Sequence, residues 1–308
     1  MSVEFSGTRL LVVGSANADL VTEVSRCPRP GETLIGGGFK VIPGGKGANQ
    51  AVAGARLGGV TSFAGRVGAD SYGTLLSQSL AEAGVDTRWL AVTRDAHTGV
   101  ATIFVAEDGE NVIVVSPGAN GLLTPDDVTA MDEAFANADV VLTQFEIPLP
   151  AIEAVLDMAR RHGVLSVLDA GGVTASGRDL VGRADVISPN ETEAATLTGR
   201  PVKTMDDARA AAEALRDMGA PAVVMKLGRQ GALYVGGDSL HVPACSVEVV
   251  DTTAAGDAFT AALALGWRVM PVADAVRYAN VAGALACAVA GAQPSMPTAR
   301  AVEGWLAK

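Results

Sequence analysis

The chain has 308 residues, of which 49% are hydrophobic and 19% charged, and its formal net charge is −11. So apolar a composition excludes an intrinsically disordered chain, and so acidic a balance argues against a surface that binds nucleic acid or an anionic membrane. The three cysteines and the three histidines are scattered, without the spacing of a disulfide framework or a zinc site.

The first half of the chain alternates strand-like and helix-like segments around two irregular stretches. Leu10–Val13 is typical of a buried strand and is too short for a signal peptide, and residues 281–290 are too short to span a bilayer, so we expect a cytoplasmic protein. Residues 16–41, broken by prolines and glycines, predict an excursion from the core. Residues 98–116 predict a β-hairpin that turns at Asp108-Gly109. The other elements predicted here are helices at about 48–57 and 71–83 and a strand at 61–66.

The second half of the chain is more regular. Thr124 precedes Pro125 and two acidic residues, which is typical of a capped helix start. The strands predicted after it lie at 140–145, 165–168, 186–187 and 222–226, and the helices at 151–161, 191–197 and 206–218. Such alternation predicts a parallel sheet covered by helices on both faces. We therefore expect one α/β domain over residues 1–308, with a small β-sheet lid formed by about 15–43 and 98–118.

Polar residues follow several of the predicted strands closely. In parallel sheets, ligands bind beyond the carboxyl ends of the strands. The residues placed there by the predicted elements are Glu146, Asn190, Gly228 and Asp257.

The stretch Val250–Phe259 is predicted to end a strand, turn through small residues and open a helix with a carboxylate. The backbone N–H groups of Ala254, Ala255, Gly256 and Asp257 would be the unpaired donors of the first helical turn, which bind phosphate-like anions. The same positive field is expected to keep Asp257 ionised and able to accept a proton. The pattern indicates a phosphoryl-transfer site, and an ordinary strand-to-helix turn is the alternative.

Two glycine-containing segments near the start of the chain fail as nucleotide motifs. In Pro43–Gln50, Gly47 stands where a Walker motif needs Ser or Thr, and residues 14–19 lack Gly-x-Gly-x-x-Gly. Both segments place short polar side chains beside glycines, which favours binding of a polyol close to the backbone. These side chains are Asn17, Asp19, Lys46 and Asn49. For any one of them alone, a turn or cap residue is the alternative.

The sequences GGKGANQ at 44–50 and DTTAAGD at 251–257 resemble, in this order, the two signatures of the ribokinase family of sugar kinases. Segments at 65–73, 188–193 and 226–231 are similar to further parts of that family, so the resemblance covers nearly the whole chain. It implies an ATP-dependent carbohydrate kinase with a ribokinase-like three-layer α/β/α core, a mostly parallel sheet and a small β-sheet lid. Asn-Ala-Asp at 17–19 and Gly-Ala-Gln-Pro-Ser at 291–295 favour D-ribose as the substrate.

The resemblance also implies a role for each matched position. Asp257 would be the general base, and the amides of Ala254, Ala255 and Gly256 would form the anion hole. The sugar would be bound by Asn17, Ala18, Asp19, Gly45, Lys46, Gly47, Ala48, Asn49, Glu146 and Asp257. ATP would be bound by Asn190, Lys226, Leu227, Gly228, Arg229, Gln230, Gly231, Gly256, Asp257 and Asn280. Asn190 and Glu193 would serve a water-bound Mg2+, and a K+ site would comprise Asp251, Thr253, Ala286, Val289, Gly291 and Ser295.

Several alternatives stay open at this point. Asn190 and Glu193 also suit a helix-capping pair, and residues 226–231 suit a plain hairpin turn. Leu168–Gly172 departs from the Asn-Pro-Ala-Pro that ribokinases tend to show after this strand, which leaves another pentose, a ketohexose or a nucleoside possible. The low aromatic content, 4%, disfavours a nucleoside.

The rival from another class is a non-catalytic regulator that binds a sugar or a nucleotide. A binder has no need of a base, so the intact Asp257 speaks against it. The apolar runs 103–105 and 112–115 exceed what one small sheet needs to bury. They predict a homodimer formed through the lid.

Overall fold

The computed structural model describes Phe5 and residues 7–307 of the chain, and the other residues of the predicted 1–308 domain lie outside it. The strands are β1 (Arg9–Val13), β2 (Asn17–Val24), β3 (Phe39–Gly44), β4 (Val60–Gly68), β5 (Asp86–Thr93), β6 (Gly99–Ala106), β7 (Asn111–Ser116), β8 (Val140–Gln144), β9 (Leu165–Asp169), β10 (Val186–Ser188), β11 (Ala222–Lys226), β12 (Ala232–Val235) and β13 (Ser239–Val242). The α-helices are α1 (Lys46–Arg56), α2 (Ser71–Glu82), α3 (Pro125–Thr129), α4 (Asp132–Ala136), α5 (Leu149–His162), α6 (Glu191–Thr198), α7 (Met205–Asp217), α8 (Ala255–Val269), α9 (Val272–Cys287) and α10 (Ala299–Leu306).

The larger sheet has the order β13-β12-β11-β10-β9-β8-β1-β4-β5 over the described residues. In this order, the seven neighbouring strands β11, β10, β9, β8, β1, β4 and β5 run parallel to one another. Strands β12 and β13 form an antiparallel edge next to β11. Unbroken apolar runs such as Leu10–Val13 are buried on both faces, as central parallel strands require. The strand order reverses at β1, which has β4 on one side and β8 on the other. A crevice at the carboxyl ends of the strands is expected at such a switch point.

Helices cover both faces of this sheet. One apolar core contains residues of α1, α8 and α9, and a second core on the other face contains residues of α5, α6 and α7. Helix α8 is buried from Asp257 to Gly266, since its many alanines let α1 and α9 pack closely against it. The predicted α/β fold with a mostly parallel sheet is confirmed. In the described part of the chain, no helix has the length and apolar run that crossing a bilayer requires.

The small sheet has the order β3-β2-β6-β7. Strands β2 and β6 run parallel, and β6 and β7 form the predicted hairpin, whose turn includes Gly109 with a φ of 86°. Every residue of β7 is exposed on one edge of this sheet. The separate small sheet is therefore present, and its action as a lid stays a prediction.

The strand predicted to end at Val250 is absent, because residues 243–254 have no strand structure. Strand β13 ends at Val242, and Pro243 has no N–H with which to continue the ladder. The Asn280 side chain instead donates to the carbonyl oxygens of Val242 and Pro243, at 3.1 and 3.3 Å. The chain thus approaches α8 through a loop.

Arg56, in the last turn of α1, holds the loop that precedes α10. Its Nη1 lies 2.9, 3.2 and 3.0 Å from the carbonyl oxygens of Gln293, Pro294 and Met296. A guanidinium group is always charged, and its hydrogen bonds are stronger than those between neutral groups. One side chain therefore ties the short 3-10 helix Gln293–Ser295 and the residue after it to α1.

We expect Arg56→Met to lower the free energy of unfolding by about 1.5–3 kcal/mol, the range for hydrogen bonds to a charged group. Methionine keeps most of the apolar stem but removes the charged donor from all three carbonyls, of which only Gln293 O keeps a backbone bond among the described residues, from Met296 N at 3.3 Å. Urea denaturation followed by circular dichroism measures the change. Arg56→Lys, which keeps a charge and can donate to some of these oxygens, should lose less stability. An unchanged midpoint in Arg56→Met would mean that other contacts hold this loop.

Candidate active site

The carboxyl ends of β9, β10 and β11 and the starts of α1, α6 and α8 surround one cavity of about 310 Å3. Each of these elements contributes a polar or charged group at the position where it begins or ends. The lining residues are Lys46, Asp169, Asn190, Glu191, Glu193, Lys226, Gly228, Thr252, Ala254, Gly256 and Asp257. Residues far apart in the sequence therefore meet at the edge of the sheet where the switch point predicts a ligand.

Asp257 lies in the first turn of α8 and is 4% exposed. Its carboxylate accepts hydrogen bonds from Asn49 Nδ2 at 3.0 Å and from Gln50 Nε2 at 3.3 Å. These two bonds fix the carboxylate and leave part of its acceptor capacity free, since an ionised carboxylate has about four lone-pair sites. A carboxylate held in this way can accept a proton from a bound hydroxyl group.

The first turn of α8 supplies the predicted anion-binding donors in part. The N–H groups of Gly256 and Asp257 have no hydrogen-bond partner within the described chain, whereas the N–H of Ala255 donates to Thr252 O at 3.3 Å. Ala254, the N-cap residue, has a φ of 58°. Among the described residues, no other non-glycine residue has a positive φ. Left-handed backbone costs an alanine roughly 1–2 kcal/mol. This conformation opens the turn toward the cavity.

The charge state of Asp257 is set by burial and by its neighbours. Burial raises the pKa of Asp257 to about 6, with Lys46 opposing the rise and Asp169 adding to it. The sequence led us to expect the helix field to keep this group ionised. The structure makes burial the larger effect, so the carboxylate is mostly ionised only above about pH 6.

Two further carboxylates lie on the side of the small sheet. Glu146 accepts hydrogen bonds from Ser15 Oγ at 2.6 Å and from the N–H of Lys46 at 3.2 Å. Burial, together with the charges of Glu146 and Asp257, raises the pKa of Asp19 to about 7. The charge on each of these carboxylates therefore acts on the protonation of Asp19. Hydroxyl groups are suitable ligands for such a set.

Asn17 and Asn49, both predicted to bind a sugar, are buried and partly occupied. Asn17 Oδ1 accepts from Asn120 Nδ2 at 2.8 Å, and Asn120 also bonds the backbone of Ala16. Asn49 Oδ1 is buried without a hydrogen-bond partner among the described residues. Ala18 and Ala48 are both 0% exposed, so their side chains pack in the protein interior.

The glycines at the start of α1 have a structural cause. A Cβ at Gly45 would lie 2.6 Å from Asn17 N, and one at Gly47 would lie 2.7 Å from Ser15 N. Gly45 also has a φ of 86°. These glycines let α1 begin directly against the backbone that follows β1, which brings Lys46 and Asn49 to the cavity. The expectation that these glycines also let a polyol approach the backbone stays a prediction.

On the opposite side of the cavity, Asn190 and Glu193 form the capping box that was the alternative to a metal role. Asn190 Oδ1 accepts from Glu193 N, and Glu193 Oε2 accepts from Asn190 N, both at 2.8 Å. Burial raises the pKa of Glu193, while Lys226 acts to lower it. A carboxylate that lines a cavity beside an amide oxygen fits a Mg2+ ion held mainly through water. Both roles are therefore compatible.

The other residues predicted to bind ATP lie around the turn after β11. Leu227 is buried, and Gly228, Arg229 and Gln230 are exposed. Gly231 has a φ of 90° and packs against the backbone after β13. Since the Asn280 amide is bound to the backbone at 242–243, it shapes this side of the site from behind.

The Asp251 carboxylate links two of the other predicted K+ positions, Thr253 and Gly291. Its Oδ1 accepts from Thr253 N at 2.9 Å and its Oδ2 from Gly291 N at 2.8 Å. The N–H of Val250 also donates to the carbonyl of Cys287, which joins this loop to the segment that holds Ala286 and Val289. Ser295 is buried and donates to Ala292 O. One carboxylate, a hydroxyl and several carbonyl groups are the hard oxygen ligands that suit K+.

Five residues of the site escaped the sequence analysis as contributors. Asp169 was noted only as a departure from a family pattern, and Gln50 only as part of a motif. The full set is Ser15, Gln50, Asn120, Asp169 and Thr260. Each acts through a partner distant in the sequence. The one sequence signal that could have found any of them is a carboxylate directly after a predicted strand, and it applied to Asp169.

Comparisons with known proteins agree over nearly the whole chain. The profile of the pfkB family carbohydrate kinases matches residues 7–299. The chain is 38% identical over 293 residues to a ribokinase of Staphylococcus aureus, covering 94% of this chain and 96% of that protein. It is 36% identical over 252 residues to a deoxyribokinase of Salmonella typhi, covering 81% and 82%. The ribokinase of Arabidopsis thaliana complexed with ribose and ATP is similar in structure, with a TM-score of 0.90, 36% identity and coverage of 97% and 98%. The predicted ribokinase-like fold is thereby confirmed.

The carboxyl group of Asp257 should titrate near pH 6, and Lys46→Met should move its titration to higher pH. The lysine charge opposes protonation of the carboxylate, so its removal favours the neutral acid. NMR of protein labelled with 13C at the aspartate carboxyl carbons measures this. Lys203→Met, which removes an exposed lysine outside the cavity, is the control. Equal titration in wild type and Lys46→Met would contradict the assigned charge balance.

Proposed function

The chain belongs to the pfkB family of carbohydrate kinases, and from this premise we propose that it transfers the γ-phosphoryl group of ATP to D-ribose, forming ribose 5-phosphate and ADP. One observation carries the proposal. The buried carboxylate of Asp257 lies in the same helical turn as the unpaired N–H groups of Gly256 and Asp257. A proton acceptor and an anion-binding surface therefore adjoin one another, as phosphoryl transfer to a hydroxyl requires.

In the proposed reaction, Asp257 accepts the proton of the attacking sugar hydroxyl. The hydroxyl oxygen forms a bond to the γ-phosphorus, the bond from that phosphorus to the bridging oxygen breaks, and ADP leaves. The unpaired amides of Gly256 and Asp257, in the turn that follows Ala254 and Ala255, would stabilise the charge on the transferring oxygens, and Lys46 would add a positive charge close to Asp257. Bound Mg2+ would neutralise phosphate charge, and Asn190 and Glu193 would hold it through water.

D-ribose is the proposed substrate because similarity to ribokinases extends along nearly the whole chain. Asp19, Asn17, Glu146 and Asn49 would bind its hydroxyl groups, with the backbone of residues 45–48 at the edge of the pocket. The similarity to a deoxyribokinase supports deoxyribose as the second candidate. Whichever sugar binds, ATP would lie along Lys226–Gly231 and Asn280.

Two proposals concern the setting of the enzyme. Potassium would bind through Asp251, Thr253, Ala286, Val289, Gly291 and Ser295. Its charge next to the loop before α8 would support the anion-binding amides electrostatically.

We place the enzyme in the cytoplasm, where ATP is abundant. Its cysteines, Cys27, Cys245 and Cys287, are free, in keeping with a reducing compartment.

Asp257→Asn should retain ATP binding and lose phosphorylation by about two to four orders of magnitude, as expected for removal of a general base. An assay of ADP release across ribose, deoxyribose, fructose and adenosine, with and without potassium, measures turnover, and calorimetry measures nucleotide binding. Asp238→Asn, a carboxylate in the turn between β12 and β13, is the control.

Ribose should give the highest kcat/KM in that assay. If no ADP is released with any of these acceptors, the sugar-kinase proposal is rejected and the non-catalytic regulator is left. Turnover of Asp257→Asn near that of wild type would mean that another group takes the proton.

We propose that the chain forms a homodimer through the small sheet. Strand β7 is an edge strand whose residues Val112, Ile113, Val114 and Val115 are 43, 52, 58 and 46% exposed. A row of exposed branched side chains beside unpaired backbone groups is suited to pairing with a second copy.

Ile113→Lys should convert the dimer to a monomer, because a buried lysine charge without a partner opposes association. Sedimentation equilibrium at micromolar concentration measures the mass. The control is Val92→Lys, an exposed valine that is 61% exposed on β5 at the edge of the large sheet. Wild-type protein that sediments as a monomer would remove the proposal.

A further inference from the structure

We infer that Asp169 is a positioning residue that couples the two halves of the reaction, because it holds Lys226 on the phosphate side and Gln50 behind the proposed base. The inference rests on the proposed phosphoryl transfer. Asp169 ends β9 and is 1% exposed. It belongs to none of the sugar or ATP positions assigned above.

The Asp169 carboxylate is saturated with hydrogen bonds. Its Oδ1 accepts from Gly171 N at 2.8 Å and from Lys226 Nζ at 3.1 Å. Its Oδ2 accepts from Thr260 Oγ1 at 2.6 Å, and from Gln50 Nε2 and Lys226 Nζ at 3.2 Å each. Asp257, in contrast, accepts only from Asn49 and Gln50 among the described side chains. Of the two buried carboxylates, Asp257 thus has capacity left for a substrate, and Asp169 serves the protein.

On the phosphate side, Asp169 fixes the ammonium group of Lys226. The side chain of Lys226 is 13% exposed, and its Nζ also lies 3.9 Å from Glu193 Oε2. A Cβ built on Gly256 would be 3.9 Å from the same Nζ, so the ammonium lies beside the first turn of α8. If Asp169 lost its charge, Glu193 would become the carboxylate that attracts the lysine. Lys226 would then leave the anion-binding turn.

On the sugar side, Asp169 acts through the amide of Gln50. Gln50 Oε1 accepts from Gln144 Nε2 at 3.0 Å, so the two N–H groups of Gln50 Nε2 are free to donate. One donates to Asp169 Oδ2, and the other donates to Asp257 Oδ1 at 3.3 Å. The orientation of this amide, and with it that of the proposed base, is therefore set partly by Asp169. A well-placed base needs such support from behind.

Several charged groups from other elements act on Asp257 together with Asp169. Lys46 of α1 favours its ionised form, whereas Asp169 and Glu146 disfavour it. Asp19 of β2 interacts with it as well. Although burial opposes ionisation of Asp169 itself, Lys226 and Lys46 hold the pKa of Asp169 below its ordinary value. Asp169 is therefore negative whenever Asp257 titrates, and its neutralisation should make Asp257 more acidic.

Asp169→Asn tests both links of Asp169, to Lys226 and through Gln50 to Asp257. We expect kcat to fall about 10- to 100-fold, as for loss of a residue that orients an active group, and KM for ATP to rise more than KM for the sugar. We also expect the acid limb of the kcat profile, near pH 6 in wild type, to move to lower pH. The control is Asp185→Asn, which removes a carboxylate that accepts from Ser166 N and Oγ at the other end of β9. It should leave kcat and the acid limb unchanged.

Gln50→Met tests the link to Asp257 separately from the link to Lys226. It also replaces Asp169→Asn as the test if that variant does not fold. It cuts the link to Asp257 but leaves Lys226 bound to Asp169, so kcat should fall while the affinity for a non-hydrolysable ATP analogue stays the same. Normal kcat in Gln50→Met would overturn the coupling. So would an Asp169→Asn protein whose kcat, KM for ATP and acid limb all match those of wild type.

Binding of the ATP analogue without sugar, measured by calorimetry, distinguishes failure of this inference from failure of the proposed function. If wild type phosphorylates no sugar, the proposed function fails. Weaker analogue binding by Asp169→Asn, with Asp185→Asn normal, would still support the role of Asp169 toward Lys226. Equal binding by all three proteins would overturn that role.

Discussion

Buried charge at the carboxyl edge of the sheet is the constraint on which the site depends. The carboxylates of Asp169 and Asp257 are 1 and 4% exposed, and an ionised group removed from water needs partners. Lys226 and Lys46 provide the opposite charges, and hydrogen bonds from α1, α8 and the Gly171 N–H provide the rest. Since each carboxylate influences the others, the protonation of the proposed base is a property of the whole cluster rather than of one side chain.

This cluster forms only if the elements that carry it approach closely. Helix α8 can bring Asp257 to the floor of the cavity because its alanines allow burial along the helix. Helix α1 can start against the chain after β1 because residues 45 and 47 lack a Cβ. The small residues of both signature motifs therefore determine the distances between helices, and the functional side chains follow from that packing.

The sequence carried most of the fold, since buried parallel strands and capped helices have strong local patterns. Thr124 caps α3 as predicted, and the hairpin turns at Gly109. Strand β5 was missed because its half-buried and exposed residues do not alternate regularly, and the strand before Asp251 was wrongly predicted because Val249 and Val250 are apolar yet exposed. The motifs predicted which positions belong to the site. They did not predict the hydrogen-bond partners of these positions, because contacts such as Gln50 with Asp169 span 119 residues.

The departure from the family pattern at Leu168–Gly172 acquires a physical reason in this light. Asp169 binds Lys226, and a Cβ at Gly171 would lie 2.5 Å from Cε and 2.8 Å from Nζ of Lys46. Both positions therefore lie beside a lysine of the cavity, Lys226 on the proposed phosphate side and Lys46 among the proposed sugar-binding residues. The same loop also packs against the proposed sugar side, because a Cβ at Gly172 would lie 3.1 Å from Cγ of Glu146. The loop therefore borders both the lysines near Asp257 and the carboxylate proposed to bind the sugar, so its unusual sequence bears on the charge balance and on the choice of sugar alike.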